Sequence, residues 1–380
     1  MGYREVTIRL LGGTSCKVLA SYYHRKSIND KNKRKCGMYP GLTLIGISNH
    51  YTPSLEYRLS KFATALGSYS EVTELVEETF GFKITAKTIV SMVKRLAEKV
   101  RAAISMDKFK QPDDFSGKIV AASMDGGRVR IRKNKRGKKT KKNRTRYHTD
   151  WKEPKLLIIY VVGEDGKRER SVLPIIDTMV GKADQIFSLL IFYLKQLKVR
   201  NADMLIFLSD GAKWIWDRVK TIASKVGIEV NKCLFVLDYY HAVEHLTEIT
   251  LHKRWSSREK KKWVRLQKKY LMEGNLDKFM NNIDKACKGT KNAILKRERK
   301  YFENHIQHMD YTTLKSKGFP IGSGAVESGI RRVVNLRLKG AGIFWHEDSA
   351  NAMLLLRSYY KAGRWNLLKS IACKGDLLAL

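Results

Sequence analysis

The sequence predicts an α/β protein whose core is interrupted by a mostly helical stretch. A small N-terminal β segment and a helical region precede that core. Continuous apolar runs of strand length alternate with segments of helical periodicity, which is typical of parallel strands covered on both faces. Residues 241 to about 317 are almost entirely helical in pattern. The predicted divisions are a β-rich arm (1–53), a helical region (54–112), the first part of the core (113–240), a helical insertion (241–320), and a closing core helix with C-terminal helices (321–380).

The charge balance predicts a polyanionic partner. The 380-residue chain has 74 Lys+Arg against 37 Asp+Glu, a net charge of +37. Nucleic acid is the expected partner, because each neutralised phosphate releases a condensed counterion. The N-terminus MGYREVTIRLLGG lacks an apolar signal region, and the apolar run LLIIYVV (156–162) is too short to span a bilayer. Five scattered cysteines without a C-x-x-C pair favour an intracellular protein, and we expect a cytoplasmic, nucleoid-associated one with no membrane partner.

The N-terminal third predicts short strands followed by a helix-turn-helix. Residues 4–24 alternate in the manner of short strands, and residues 54–104 have helical periodicity. Gly81 is expected to end one helix and Thr85 to cap the next. That second helix has an apolar stripe and an opposite basic face, which suits a DNA-reading helix, although an ordinary helical hairpin is the alternative. The stripe is Ile89, Val93, Leu96 and Val100, and the basic face includes Lys87 and Lys94.

From residue 118 onward the period changes to that of strands. KIVAASMD (118–125) is predicted to be a strand, and RVRIR (128–132) can be a returning strand. The run 128–146 has 12 basic residues in 19, and such runs usually become ordered on an acidic partner. The later predictions are a hairpin around Asp165-Gly166, a helix over 184–198, a strand over 204–211, a helix over 212–227 and a strand over 233–238.

Carboxylates stand where the core strands end. Asp125, Asp210 and Asp238 each follow an apolar run, and Glu327 lies in the first turn of the helix after GSG. Functional sites of open α/β sheets gather beyond the carboxyl ends of parallel strands. Neighbouring carboxylates resist burial unless a cation neutralises them, and hard oxygen ligands suit Mg²⁺ or Mn²⁺. Two such ions are typical of phosphodiester chemistry. Each residue also has a simpler explanation, since both Asp-Gly pairs can form turns and a Glu can favour a helix N-terminus.

The stretch VLDYYHAVEHL (236–246) supports a second hypothesis. It fits the H-x-x-E-H pattern of inverted zinc peptidases, with His241 and His245 as ligands and Glu244 as the base. That function would explain neither the charge nor the other strand-end carboxylates. We therefore favour a coincidence at a helix start, in which Asp238 and His241 support the metal site while Glu244 and His245 begin the helical insertion.

Seven motifs together carry a resemblance to a known family. They are SMDGG (123–127), WKEPK (151–155), LSDGAKWIW (209–216), LDYYHAVEHL (237–246), GSGAVES (322–328), RLKGAGIFW (337–345) and NAMLLLRSYYKAGRW (351–365). With these motifs the sequence resembles the DDE transposases of bacterial insertion sequences, specifically the Kra-type group in the Mutator-like and hAT-like branch, over roughly residues 54–365. Related proteins can carry cysteine pairs near the N-terminus, whereas this chain has only Cys16 and Cys36 there, which does not support an N-terminal zinc site.

The resemblance implies an RNase H-like core interrupted by a helical insertion. In that family the first Asp lies on the first core strand, the second Asp after the fourth strand, and the Glu on a late helix. Asp125, Asp210 and Glu327 match these positions, and Asp238 and His241 fit a D-x-x-H element that follows the fifth strand. The implied catalytic residues and metal ligands are therefore Asp125, Asp210 and Glu327, holding two Mg²⁺ or Mn²⁺ ions.

The implied activity is DNA cleavage at the element ends followed by strand transfer. Double-stranded DNA would be the partner of a homodimer or larger assembly, with no small-molecule substrate. A catalytically silent DNA-binding protein derived from a transposase and an RNase H-fold nuclease or resolvase are the alternatives. The predicted DNA contacts are Lys87, Lys94, Arg130, Arg132, Lys138, Lys139, Lys141, Lys142, Arg331, Arg337 and Lys339.

Overall fold

The computed structural model describes residues 2–24, 37–141, 143–289 and 291–373. The chain divides into two compact units, and both are built from more than one chain segment. The first unit is Met1–Lys110, Ile131–Asp150 and Phe344–Leu380, and the second is Gln111–Arg130 and Trp151–Ile343. The predicted mixed α/β class is confirmed. The prediction had grouped residues 344–380 with the closing core helix, whereas this division places them with the N-terminal segment.

The described residues form the following strands and helices in chain order. The strands are β1 Gly2–Arg9, β2 Ser15–His24, β3 Gly37–Met38, β4 Ile119–Gly126, β5 Val129–Asn134, β6 Tyr147–Lys152, β7 Pro154–Val161, β8 Ile175–Val180, β9 Met204–Ser209 and β10 Cys233–Leu237. The α-helices are α1 Pro40–Leu44, α2 Pro53–Ala65, α3 Tyr69–Phe80, α4 Ala86–Ser105, α5 Ala183–Gln196, α6 Lys213–Val219, α7 Ile222–Val226, α8 Tyr239–Leu251, α9 Ser257–Met272, α10 Leu276–Cys287, α11 Ala293–His305, α12 Tyr311–Ser316, α13 Gly324–Gly329, α14 Leu336–Leu338, α15 Glu347–Lys361 and α16 Leu368–Cys373. A π-helical segment, Ile330–Asn335, joins α13 to α14.

The N-terminal arm is a small antiparallel sheet. Strands β1 and β2 form a hairpin, and the short β3 pairs with the end of β2. Val6 and Ile8 are buried on one face of β1, as the alternation predicted. The hairpin turn contains Gly13 at φ +85°, where a Cβ would lie 2.6 Å from the carbonyl oxygen of Phe80. Glycine is required there because this turn approaches α3 so closely.

Two helix ends of the first unit lie at the residues that the sequence indicated. Gly81 has φ +67° and ends α3 in the left-handed conformation. The Thr85 hydroxyl accepts a hydrogen bond from the Thr88 amide and caps α4. The predicted stripe on α4 is buried, and α4 packs against α2 and α15. The C-terminal helix α15 therefore completes the core of the N-terminal helices.

The basic run 128–146 contains the first strand of a two-stranded ribbon, and the second strand, β6, follows the run directly. Strand β5 pairs with β6, so the predicted strand at 128–132 exists but does not return to the central sheet. Val129 and Ile131 are buried on one face of β5. Backbone hydrogen bonds from Lys135 to Arg146 (2.7 Å) and from Thr140 to Arg144 (2.8 Å) continue the ribbon toward its tip. Within the run, β5 forms because the apolar Val129 and Ile131 alternate with basic residues. That the rest of the run becomes ordered on an acidic partner stays a prediction.

The second unit contains a mixed five-stranded sheet in the order β10-β9-β4-β7-β8. Strands β4, β9 and β10 are parallel, whereas β7 is antiparallel to both β4 and β8. The predicted parallel strands and the predicted hairpin after residue 154 are therefore confirmed. The segment 212–227, predicted as one helix, is two short helices, α6 and α7.

A long helical stretch follows β10, as predicted. It comprises α8 to α12, in which α8 packs on α9 and α11, and α10 packs on α9 and α11. Its interior includes Leu246, Leu271, Phe279 and Phe302, all fully buried. The chain then reaches α13, which packs against β4 and β7. Across both units, the described helices include none that combines the length and the apolar composition needed to cross a bilayer.

Candidate metal centre

Three strand ends bring three carboxylates to one edge of the sheet. Asp125 lies near the end of β4, Asp210 directly follows β9 and Asp238 directly follows β10. These three strands are adjacent and parallel, so their carboxyl ends share an edge. The Asp238 amide donates to the Ser209 carbonyl at 2.8 Å, which extends the pairing of β9 and β10 up to both aspartates. The placement predicted for these carboxylates is therefore found in the second unit.

Asp125 and Asp210 are each fixed by neighbouring backbone groups. The Gly126 amide donates to Asp125 Oδ1 at 2.6 Å. Asp210 Oδ1 accepts from the Ala212 amide at 2.9 Å and from the Ser209 hydroxyl at 3.2 Å. Gly211, which lies between Asp210 and Ala212, has φ +91°, so the chain turns sharply after β9. Asp210 is therefore both a turn residue and a site residue, because the turn determines the direction of its carboxylate.

Asp238 is fully buried and forms hydrogen bonds both to the start of α8 and to the turn before α13. Its Oδ1 accepts from the amides of Tyr240 (2.6 Å) and His241 (3.1 Å), which caps α8. Its Oδ2 accepts from the Ser323 amide at 2.5 Å. Three of the roughly four acceptor positions of a carboxylate are thereby used. Asp238 therefore holds the start of α8 beside the Gly-Ser-Gly turn that precedes α13.

Glu327 reaches this edge from α13. His241 Nε2 lies 4.0 Å from Glu327 Oε1, and the Ser323 hydroxyl donates to the same oxygen at 3.3 Å. Asp238, His241 and Glu327 each offer one ligand atom, and these atoms all lie within 4.8 Å of one another. This group could hold a metal ion.

The packing of α13 and the π-helical segment determines where Glu327 points. A Cβ on Gly329 would lie 3.1 Å from Leu156 of β7. A Cβ on Gly127 would lie 3.4 Å from Val334 and 3.5 Å from Ile330 in the π-helical segment. Small residues on both partners therefore let this helix approach the strand ends. π-Helical turns are rare and frequently occur at functional sites.

Burial and neighbouring carboxylates together shift the pKa values at this edge. Burial raises the pKa of Asp125, the carboxylates of Asp210 and Glu327 raise it further, and the pKa reaches about 6 despite the hydrogen bond from Gly126. Burial alone would lower the pKa of His241, but the surrounding carboxylates, led by Asp238 and Asp210, raise it overall. A carboxyl group that ionises reluctantly beside other carboxylates gains from a bound cation. The residues present therefore fit a divalent metal.

The zinc-peptidase pattern is not assembled as a ligand set. His245 Nδ1 is hydrogen-bonded to the carboxylate of Glu298, and its ring stacks on Tyr301 with centroids 3.7 Å apart. His241 Nδ1 lies 3.1 Å from Glu244 Oε2. Within residues 2–24, 37–141, 143–289 and 291–373, the candidate metal group includes His241 but not His245. Glu244 and His245 lie in the first helix of the helical stretch, as predicted.

Three residues near the edge were missed from the sequence. The Tyr301 hydroxyl donates to the carbonyl of Asp210 at 2.9 Å. The Glu153 carboxylate lies so close to Gly126 that a Cβ there would collide with it. Lys155 Nζ pairs with Glu153 at 3.0 Å and lies 5.1 Å from the ring centroid of Trp214. The WKEPK motif gave a signal for Glu153 and Lys155, whereas Tyr301 is 91 residues from Asp210 and gave none.

The predicted DNA contacts fall into distinct structural settings. Several already have partners within the chain. Arg130 donates to the Gly340 carbonyl at 2.7 Å, and Arg132 Nε donates to His346 Nε2 at 2.9 Å. Lys94 forms an ion pair with Asp348, so the predicted basic face of α4 is partly neutralised. The side chains that are exposed are Lys87, Lys138, Lys139, Lys141, Arg331 and Lys339.

Two of the predicted DNA contacts need separate comment. Arg337 is only 6% exposed, which does not favour a phosphate contact, and its predicted role in DNA binding stays a prediction. Its position on the inner face of the helix that follows the π-helical segment explains the burial, as its neighbour Leu338 is also buried. Lys142 lies outside the described residues.

Comparison with known proteins adds no relative, since no family model and no curated protein matches this chain.

Proposed function

We propose that this protein is a DDE transposase, which cleaves DNA at transposon ends with the help of divalent metal ions and transfers the strand into target DNA. The observation that carries the proposal is that adjacent strand ends place Asp125 and Asp210 together, electrostatically coupled to Glu327. Glu327 in turn lies with Asp238 and His241 in the group that could hold a metal ion, a group that does not include Asp125 or Asp210. The net charge of +37 supports a DNA partner. The motif resemblance supports the specific reaction.

The sheet topology supports an RNase H-like core. Counted within the sheet, β4, β7, β8, β9 and β10 are the first to fifth strands. The second strand is antiparallel to both the first and the third, and the fourth and fifth run parallel to the first. Across the sheet, the spatial order is fifth, fourth, first, second, third. Asp125 is on the first strand, Asp210 follows the fourth, and Glu327 is on a helix after a long helical stretch. This is the arrangement that the resemblance implies, with α8 to α12 as the insertion.

Asp125, Asp210 and Glu327 would hold the two Mg²⁺ or Mn²⁺ ions, supported by His241. When bound, such ions supply an activated attacking oxygen and stabilise the leaving oxygen. The chain's own residues position this set. Asp238 fixes the backbone of His241 and the Ser323 turn through three hydrogen bonds. In the metal-free protein the raised pKa of His241 keeps positive charge beside Glu327 up to a higher pH than an isolated imidazole would, and this proton must leave before the imidazole can support a metal ion.

The exposed lysines at the tip of the β5–β6 ribbon would contact DNA phosphates. Lys138, Lys139 and Lys141 are exposed in a segment that contains no acidic residue between Lys133 and Arg146. Such contacts give affinity and strong salt dependence, but no sequence readout. The ribbon would therefore hold the duplex while other residues select the site.

Incubation with DNA and Mg²⁺ tests the proposal. The substrate is a DNA fragment that contains the gene together with its flanking sequences, so that both element ends are present. We expect the wild type to cut at the ends and join them to target DNA, and Asp210→Asn to do neither. The matched control is Asp203→Asn, since Asp203 is exposed before the opposite end of β9 and should be dispensable.

Each alternative activity has its own result in this assay. Cleavage without joining would indicate a nuclease or resolvase. Binding of the ends without cleavage would indicate a catalytically silent protein. Equal cutting and joining by the wild type and Asp210→Asn would show that the metal-site assignment is wrong.

A further inference from the structure

A pocket of about 460 Å³ opens next to the candidate metal centre, within the second unit. It shares two structural elements with that centre. Gly324 and Ala325 line the pocket and lie in the first turn of α13, the helix that carries Glu327. Tyr240 also lines it, and its amide donates to Asp238 at 2.6 Å. A molecule in this pocket would therefore contact the same helix starts that position the metal ligands.

The charge of the pocket wall favours an anion. Lys167, Arg168 and Lys315 line it, against the single carboxylate of Asp165. That carboxylate lies 3.6 Å from Lys167 Nζ, which accounts for one of the three cations. Arg168 Nη1 donates to the Val172 carbonyl, a neutral partner, at 3.4 Å. Among the described residues, no carboxylate lies within ion-pair distance of Lys315. Arg168 likewise has no ion pair in the part of the chain that the structure describes, so two positive charges line the pocket without a compensating acid there.

Tyr240 gives the pocket an exposed aromatic surface. Tyr240 is 60% exposed. The ring lies against the backbone of Gly322, where a Cβ would approach Tyr240 Cε2 to 2.6 Å. It also meets Tyr239 edge-on, with ring centroids 5.5 Å apart. The ring is thus held in place while much of its surface remains accessible.

An exposed aromatic ring beside unpaired cations is the combination that binds single-stranded nucleic acid, because bases stack on rings and phosphates pair with lysine or arginine. The volume is at the lower end of the range for small-molecule pockets, so it suits one nucleotide and is too small for a duplex. An acidic peptide would use the cations but would not require the exposed ring.

We propose that this pocket binds one unpaired nucleotide of the DNA strand that reaches Glu327. The base stacks on Tyr240, and the adjacent phosphate pairs with Lys315 and Arg168. This inference rests on the proposed function, since it assigns a position to part of the DNA substrate. The stack on Tyr240 would offset part of the cost of separating the strands near the metal centre.

Photo-cross-linking tests the contact with the base. The probe is a single-stranded oligodeoxynucleotide in which 5-iododeoxyuridine replaces thymidine, and mass spectrometry locates the cross-linked residue. We expect cross-links at Tyr240 and their loss in Tyr240→Leu. Tyr3→Leu is the matched control, because Tyr3 is 69% exposed but lies on β1 in the first unit. Cross-links confined to the β5–β6 ribbon would overturn the pocket assignment while leaving DNA binding intact.

A lysine pair tests the phosphate contact. Lys315 lines the pocket, whereas Lys317, two residues further along, is exposed and does not line it. With a fluorescent single-stranded oligonucleotide at low salt, we expect Lys315→Gln to weaken binding about fivefold and Lys317→Gln less than about twofold. Binding of a fully paired duplex should change equally little in both variants. Thermal unfolding of each variant shows whether the fold is retained.

The outcomes separate this inference from the proposed function. Equal weakening by the two lysine substitutions, or displacement of the oligonucleotide by an acidic peptide with no cross-link at Tyr240, would overturn the nucleotide assignment alone. Failure of the protein to bind any DNA, single-stranded or duplex, would contradict the proposed function as well.

Discussion

The hydroxyl of Tyr301 donates a hydrogen bond to the backbone carbonyl of Asp210 at 2.9 Å. The two residues come from different parts of the second unit, since Tyr301 is on α11 of the helical stretch and Asp210 follows β9 of the sheet. The ring of Tyr301 also limits the neighbouring position, because a Cβ on Gly211 would lie 2.8 Å from it. The helical stretch is thus part of what holds the Asp210 turn.

The Tyr301 ring also contacts His245, which is held by a buried carboxylate. His245 stacks on Tyr301 and is hydrogen-bonded to the fully buried carboxylate of Glu298. Arg297 pairs with the second oxygen of Glu298 at 2.6 Å. Burial would raise the pKa of Glu298, but these two hydrogen-bonding partners outweigh it and lower the pKa. Glu298 therefore remains ionised and keeps His245 against the tyrosine ring.

The first prediction concerns the tyrosine hydroxyl. Tyr301→Phe keeps the ring contacts with Gly211 and His245 but removes the bond to Asp210. We expect the Mg²⁺ concentration needed for half-maximal DNA cleavage to rise several-fold, because the Asp210 turn is held less tightly, while stability falls by about 1 kcal/mol. A titration of cleavage rate against Mg²⁺ measures the first effect, and urea unfolding measures the second.

Tyr193→Phe is the matched control for Tyr301→Phe. Tyr193 donates to the buried Asp177 at 2.8 Å, and Asp177 lies on β8 at the far side of the sheet from β9. Its loss should lower stability by a similar amount without altering the Mg²⁺ dependence. If both variants shifted the Mg²⁺ requirement equally, Tyr301 would have only a general structural role.

The second prediction concerns the ionisation of Asp125 in metal-free protein. Its pKa of about 6 in the folded state exceeds the usual value of 3.8, so the folded state binds this proton more tightly than the unfolded state. The associated stability is present at low pH and is lost as the pH rises from about 4 to about 6. We therefore expect Asp125→Asn to be more stable than the wild type by about 2 kcal/mol at pH ~8 and no more stable at pH ~4.

At pH ~8, Mg²⁺ should make the wild type more stable than Asp125→Asn. Cation binding compensates for the clustered carboxylates in the wild type, whereas the Asn variant has lost one ligand. Urea unfolding at both pH values, with Mg²⁺ and with a chelator, provides the four measurements. An Asn variant that gained no stability at the higher pH without metal would contradict the buried, mutually repelling arrangement. Asp203→Asn should show no such pattern.

The sequence predicted the parts of this site that depend on local signals and missed those that depend on contacts between distant residues. The strand ends could be predicted from the sequence because an apolar run that stops at Asp-Gly marks both a buried strand and a turn. Asp125 and Asp210 could therefore be assigned to the ends of strands. The burial of Asp238 could not be predicted from the sequence, since one of its hydrogen bonds comes from Ser323, 85 residues away. Tyr301 could not be assigned for the same reason.

The surface assignments were less secure than the strand ends. Helical periodicity separates the two faces of α4, but it does not reveal that Asp348 of α15 pairs with Lys94. The same limitation applies to Arg337, whose burial depends on how the helix after the π-helical segment packs. In contrast, Gly81 and Thr85 were predicted correctly because helix caps depend on local backbone chemistry.

The third prediction separates the structural role of Asp238 from metal binding. Asp238→Ala leaves the amides of Tyr240, His241 and Ser323 without their acceptor, so we expect a loss of about 3 kcal/mol in unfolding free energy even in a chelator. Asp238→Asn keeps an acceptor oxygen for the helix cap and should lose less. Urea unfolding in the absence of metal measures both. A residue that acted only as a metal ligand would show no loss under those conditions.

The fourth prediction concerns the salt dependence of DNA binding. The exposed ribbon residues Lys138, Lys139 and Lys141 are changed together to Gln. Each lost phosphate contact should reduce the slope of log affinity against log salt by about 0.9 for duplex DNA, so a triple variant that loses all three contacts should have a slope smaller by between two and three.

Lys94→Gln provides the contrast to the triple variant, since Lys94 already pairs with Asp348 and should change the slope little. Fluorescence anisotropy at several salt concentrations measures both slopes. A triple variant with the wild-type slope would remove the ribbon from the DNA-binding surface. A large effect of Lys94→Gln would mean that the lysine exchanges Asp348 for a DNA phosphate, which would restore the basic face of α4 as a DNA-reading surface.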